Sequence, residues 1–238
     1  MSELRANPGT GVLIVWTDIP REIETEFNAW YDHEHLPDRI LRMPGFLRGR
    51  RYQSVSATAG APKYLTYYNL QDTAFMMSPA HTTLRRERPA RDRLFVPKFL
   101  NTIKGICDVV GRVGTSGAEH LLLLPVTALA DSEARLAQCL CSAVLPAIAA
   151  DGSAAATYAY RNAEVTQASS AKDDRKGDRY VDALIVVEAD SEAGIAAALE
   201  RIDMRQLARA GGAPQYVNEP CVLRLRCDLH APTGGIRA

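Results

Sequence analysis

The sequence predicts an α+β fold: two tandem ferredoxin-like (β-α-β-β-α-β) units packed as one internally duplicated α+β barrel. Three observations lead there. The same order of strand-like and helix-like segments occurs twice along the chain. A single shift of 109 positions lays the first strand and helix of one half on those of the other, with Val12 on Leu121, Phe27 on Leu136 and Leu36-Pro37 on Leu145-Pro146. Finally, a unit with helices on one face of an antiparallel sheet leaves its other face bare, so two such units in one chain bury those faces against each other.

Each element has a local reason. In the first half, Gly11 to Thr17 is an apolar run of strand length. Pro20 precedes a helical stretch from about Arg21 to Leu36, which Pro37 is expected to end. Pro44-Gly45 marks a turn into a strand from Phe46 to about Ser54. Residues 57–62 read as a loop, Tyr64 to Leu70 as a strand, Asp72 to about Arg93 as mixed helix, and Ile103 to Val113 as a strand. In the second half, Leu121 to Val126 is a strand that Pro125 marks as ending or lying at an edge. Ser132 caps a helix to about Ala150, and Ala155 to Val165 alternates as a strand. The polar segment 166–178 reads as a flexible hairpin loop. Tyr180 to Glu188 is a strand, Ser191 to Ala210 a helix and Gln215 to Leu229 the last strand. Glycine-rich Gly111 to Gly117 is the expected linker, which sets the units at 1–114 and 115–238.

Composition narrows the class. The chain is 47% hydrophobic and 24% charged with a formal net charge of zero, so it lacks the basic excess that nucleic-acid binding requires. Nothing approaches the roughly 18 unbroken apolar residues of a membrane span, and the first ten residues hold no signal-like run; a cytoplasmic protein is expected. The five cysteines have no paired CxxC spacing and read as reduced, mostly buried small residues. Two arginine clusters, Arg48/Arg50/Arg51 and Arg85/Arg86/Arg88, read as solvated surface or as capture points for an anionic substrate.

Chemistry concentrates in Phe27 to Tyr52, FNAWYDHEHLPDRILRMPGFLRGRRY. At about 100° per residue, Ile23, Phe27, Trp30 and Tyr31 share a helix face, Glu34 projects with Trp30, and His35 borders that face. The internal overlay sharpens this: Tyr31, Glu34 and His35 fall on Leu140, Ala143 and Val144, so one half keeps polar groups where its twin is apolar. A structural reading of the pair, with Glu34 salt-bridged and His35 hydrogen-bonded at a rim, stays open. His33 and His35 lie about 200° apart on a helix and cannot share an ion; no HExxH motif is present, no metal is expected, and His33 is assigned to solvent.

The segment WYDHEHLPDRILRMPGFLRGRRY resembles the dimeric α+β barrel superfamily, and more narrowly EthD-like proteins, in its W-Y-x-x-E-H-L-P, P-G-F and basic-strand order. Most such proteins are single units that dimerise, so the resemblance implies an intramolecular pseudo-dimer here, with further self-association left open. It also implies a pocket between helices and sheet, and cofactor-independent work on small aromatic or polyketide-like molecules. Carried onto these residues, His35 is the general acid/base, Tyr31 a hydrogen-bond donor to an enolate oxygen and Glu34 an orienting or second base. Trp30, Arg50, Tyr52, Tyr67 and His81 are assigned to substrate, with Arg50 or Arg51 as a carboxylate clamp; strand alternation lets only one of the two face the pocket. The expected activity is that of a cofactor-free isomerase or lyase on a small hydrophobic carboxylate or enone. The alternatives are a cofactor-free monooxygenase of an aromatic substrate and a non-catalytic ligand-binding protein. No residue stands out as a haem ligand.

Overall fold

The computed structural model describes residues 8–56, 58–170 and 177–232. The first half holds β1 (Gly11–Asp18), α1 (Glu24–Trp30), a π-helical turn (Tyr31–His35), α2 (Leu36–Arg42), β2 (Phe46–Ser54), β3 (Tyr64–Leu70), α3 (Pro79–Arg86), α4 (Ala90–Phe95) and β4 (Leu100–Val113). The second holds β5 (His120–Ala128), α5 (Glu133–Cys139), a second π turn (Leu140–Val144), α6 (Leu145–Ile148), β6 (Ala154–Arg161), α7 (Ala163–Ser170), β7 (Arg179–Tyr180), β8 (Ala183–Ala189), α8 (Glu192–Glu200), α9 (Met204–Arg209), β9 (Gly212–Pro214) and β10 (Cys221–His230).

The main strands run β4-β1-β3-β2 in the first half and β10-β5-β8-β6 in the second, all antiparallel. Pairing of β2 with β10 and of β4 with β6 joins the halves at both seams. An eight-stranded antiparallel barrel results, and closure removes the edges that open sheets must protect. Because helices cover the outside, both faces of most strands are buried. Every residue of β3 (YLTYYNL) is buried for this reason. Val12, Ile14, Trp16, Leu121, Leu123 and Leu223 fill the inside, while Phe27, Trp30, Leu36, Phe46, Tyr68 and Phe95 pack between the first half's helices and its sheet. Each such side chain contributes roughly 1.5–3 kcal/mol of burial.

Several expectations change on physical grounds. Pro37 does not end the helix. Leu36 N–H donates to the Tyr31 carbonyl, five residues back, and the widened turn precedes a proline that has no N–H to give, so helical geometry continues to Arg42. The second half repeats this: Leu145 N–H reaches the Leu140 carbonyl just before Pro146. Pro125 sits in a central strand, at the gap between the segments of β5 that pair with β10 and with β9, where no ladder N–H is needed. Ser132 starts its helix but makes no capping bond, and accepts instead from Arg135. Residues 163–170 form α7 rather than a strand end and loop, and the rest of the expected hairpin at 171–176 lies outside the described residues. The expected helix over 191–210 is split at 201–203, and the last strand begins at Cys221 rather than Gln215, after a short β9 that was not expected. Gly111 and Arg112 are paired strand residues, so the connection begins at Gly114. The five cysteines are free; Cys107 and Cys221 are buried and the others partly so.

Candidate active site

Gly49 lets α2 sit directly on β2, since a Cβ there would come within 2.7 Å of Leu36 and 2.8 Å of Ile40. That close approach fixes the motif helix above the sheet. The π turn then sets which side chains face inward. One extra residue per turn rotates Glu34 outward, where it is 45% exposed and paired with Arg91, and brings His35 in. Glu34 is therefore not in the cavity, against the straight-helix expectation.

His35 is held on several sides. Its ring packs against those of Trp30 and Tyr31, both with centroids 4.6 Å away, and Trp30 stacks on Phe95 at 4.8 Å. Its Nδ1 lies 3.1 Å from Oδ1 of Asp92, whose Oδ2 accepts from Arg39 Nη2 at 2.6 Å. Asp92 comes from α4 and is buried. Burial first, then the Arg39 charge, lowers the His35 pKa from 6.5 to about 4, outweighing the pull of Asp92. Burial raises Asp92, but the His35 hydrogen bond and neighbouring positive charge reverse that and hold it below the usual range. At neutral pH the pair is a neutral imidazole donating from Nδ1 to a carboxylate, which leaves Nε2 as a lone-pair acceptor. Carboxylate-oriented imidazoles of this kind serve as general bases.

A cavity of about 150 Å3 opens beside this dyad. Its floor is the outer face of the first half's sheet (Leu13, Val15, Phe46, Tyr68, Ile106), and Tyr31, His35 and Arg39 form one wall. Arg85, Arg88 and Lys104 add positive charge around it. His81 lines it too, its Nδ1 donating to the Met76 carbonyl at 2.9 Å. Ser169 of α7 and Tyr180 of β7 complete the lining, so the second half supplies part of a site expected wholly within 1–114.

Of the residues assigned from sequence, Tyr31, His35 and His81 meet here. Trp30 lies behind His35 as packing. Arg50, Tyr52 and Tyr67 point into the barrel, on the opposite side of the sheet: Arg50 donates to Glu188 and to Asn69 Oδ1, and lies 4.8 Å over the Tyr67 ring. Arg51 does face the helices, yet it is fully buried on Asp32 and Asn28, 4.4 Å over the Tyr31 ring. Neither arginine is a clamp in the cavity, and neither is solvated surface. The sequence reading missed Asp92 and Arg39. Arg39 stood in the motif itself, one turn beyond His35.

The dyad predicts a pH signature. Between about pH 6.5 and 4 the unfolded chain takes up a proton at this histidine that the folded chain refuses, so stability is lost as the pH is lowered through that window, by about 3 kcal/mol in all. Denaturant titrations across this range should show a steep loss for the wild type and a shallower one for His35→Gln.

No family model matches the chain, and no curated protein does. Solved structures do share its fold, an eight-stranded antiparallel barrel with helices outside it. An anthrone oxidase-like protein superposes with a TM-score of 0.54 at 10% identity, covering 95% of this chain and 94% of its own. A “putative monooxygenase” from Lactobacillus acidophilus gives 0.55 at 9%, covering 95% and 98%. A heme-binding protein from Thermus thermophilus gives 0.52 at 11%, covering 91% of each chain. This chain's residues do not fit a haem. The helix–sheet space of the second half is filled by Leu136, Leu140, Val144 and Tyr158, and the first-half cavity is on the scale of a single ring.

Proposed function

We propose that the protein is a cofactor-independent monooxygenase of a small aromatic substrate with an acidic C–H, and that His35 is its base. The observation carrying this reading is the Asp92–His35 dyad, with its neutral imidazole against an apolar cavity. Its likeness to the anthrone oxidase-like and monooxygenase neighbours favours it over the isomerase or lyase reading.

His35 Nε2 takes a proton from an activated CH2, leaving a carbanion. The carbanion passes one electron to O2, and recombination of the two radicals forms a C–O bond as a peroxide anion. The proton held on His35 returns to the distal oxygen. Loss of the second C–H proton, with O–O cleavage, then releases water and leaves a ketone. The substrate supplies all the electrons, so no external reductant is required. An isomerase or lyase would use the same base, with Tyr31 beside it to return the proton elsewhere. In architecture, we read the chain as two ferredoxin-like units in tandem, of which the first kept its polar residues; the common strand order and the paired π turns support that history.

Oxygen uptake tests the reading. With anthrone and a panel of smaller aryl ketones that carry an acidic CH2, wild-type protein should consume one O2 per ketone carbonyl formed from CH2, above spontaneous autoxidation. Turnover of a substrate without O2 uptake would replace it by the isomerase or lyase reading.

A further inference from the structure

Eight buried side-chain polar atoms lack a hydrogen-bond partner among the described residues. Two of them, Arg39 Nη1 and Tyr68 Oη, belong to residues that line the cavity beside His35. The other arginine nitrogens of this kind, on Arg50, Arg51 and Arg112, belong to residues outside that lining. Leaving a buried donor unmade costs stability, so Arg39 Nη1 calls for an acceptor, and Tyr68, whose hydroxyl has the Tyr31 hydroxyl as a polar neighbour, offers a second donor beside it. Arg39 is pinned by Asp92 through Nη2, which leaves Nη1 directed elsewhere. Tyr68 rises from β3 in the cavity floor, near the Tyr31 hydroxyl and within reach of the Arg39 charge. Burial above all keeps the Tyr68 phenol protonated well beyond its ordinary range, so it can serve only as a donor or a neutral acceptor.

We propose that Arg39 Nη1 and Tyr68 Oη form an oxyanion seat, and that the substrate is a ring-sized phenol or enolisable ketone whose oxygen is conjugated with the carbon His35 deprotonates. The inference rests on the reading of His35 as base in this cavity, and it names what that reading leaves open. Negative charge leaving the C–H delocalises onto the ring oxygen, where two preorganised donors in a dry site stabilise it most. The same site spares the protein a second acid. The cavity of about 150 Å3 encloses one ring, with any further substituent extending toward the arginine-lined opening.

The probe is 4-nitrophenol, whose ionised and neutral forms differ in colour. Wild-type protein should bind the phenolate in preference to the phenol, lowering the apparent ionisation pH of the bound probe. Tyr68→Phe and Arg39→Met should each weaken phenolate binding about tenfold or more, whereas Glu34→Gln, which lies outside the cavity, should leave it within about twofold. A melting temperature for Tyr68→Phe close to that of the wild type separates loss of the seat from loss of the fold. Preference for the neutral phenol, absence of binding, or unchanged affinity in both variants would overturn the seat. Phenolate binding without O2 uptake on any substrate would instead overturn the monooxygenase reading and leave the seat standing.

Discussion

On the proposed monooxygenase function, His35→Gln should lower kcat for oxygen uptake by about 10²–10⁴, the usual contribution of a positioned general base, while the chain stays folded and KM changes little. Glutamine keeps an amide donor that can reach Asp92, so the carboxylate is not stranded, but it offers no lone pair of useful basicity. Asp92→Asn should cost a comparable factor by a different route. The imidazole is then free to turn its N–H toward the cavity, and Arg39 loses the carboxylate that pins it. The two variants separate in their pH profiles. In the wild type the base loses its lone pair only as pH falls through about 4, so the acid limb of kcat/KM lies there and not near 6.5. Removing Asp92 removes a group that raises the His35 pKa, so in Asp92→Asn that limb moves lower still while the plateau drops. A wild-type limb near 6.5 would mean that the imidazole is solvated during turnover and that the enclosed dyad is not the working form.

His35 was legible because the chain carries its own control. Val144 occupies the matching place in the internal overlay, so the sequence itself singles out residue 35 as polar where an apolar side chain also fits. Asp92 was not legible. It sits 57 residues away on a short helix whose pattern reads as mixed, and only the docking of α4 against the π turn joins it to His35. Glu34 was misplaced for a definite reason: a 3.6-residue period carried through residues 31–35 gives wrong azimuths once the turn widens. The paired Leu-Pro steps marked the site of that widening, but as helix-compatible prolines rather than stops. The strands were easier, since apolar runs such as YLTYYNL need only burial to explain them. Alternation correctly separated Arg50 from Arg51. It could not say that closure into a barrel buries both faces, so that a basic residue on either side becomes an interior residue.

That interior position makes Glu188→Ala the most damaging substitution expected away from the cavity. Arg50 is 1% exposed inside the barrel, and among the described residues Glu188 is its one charged partner by direct contact. Asn69 and Tyr52 remain to hydrogen-bond the guanidinium, and the Tyr67 ring lies beneath it, but none of them carries charge. Removing one member of a buried pair costs about 3–5 kcal/mol, which for a chain of this size lowers the melting temperature on the order of 10 °C. Replacing both members with apolar groups behaves differently, because the desolvation cost of the pair disappears with it. Arg50→Met with Glu188→Leu should therefore recover most of the loss. The double variant also decides what Arg50 is for. As a substrate clamp it would take activity with it. As a strut on the far side of the sheet from His35, its removal leaves oxygen uptake and 4-nitrophenolate affinity near wild-type values once stability is restored. A stable double variant that no longer binds the phenolate would return Arg50 to the site and open the barrel interior as a second face of it.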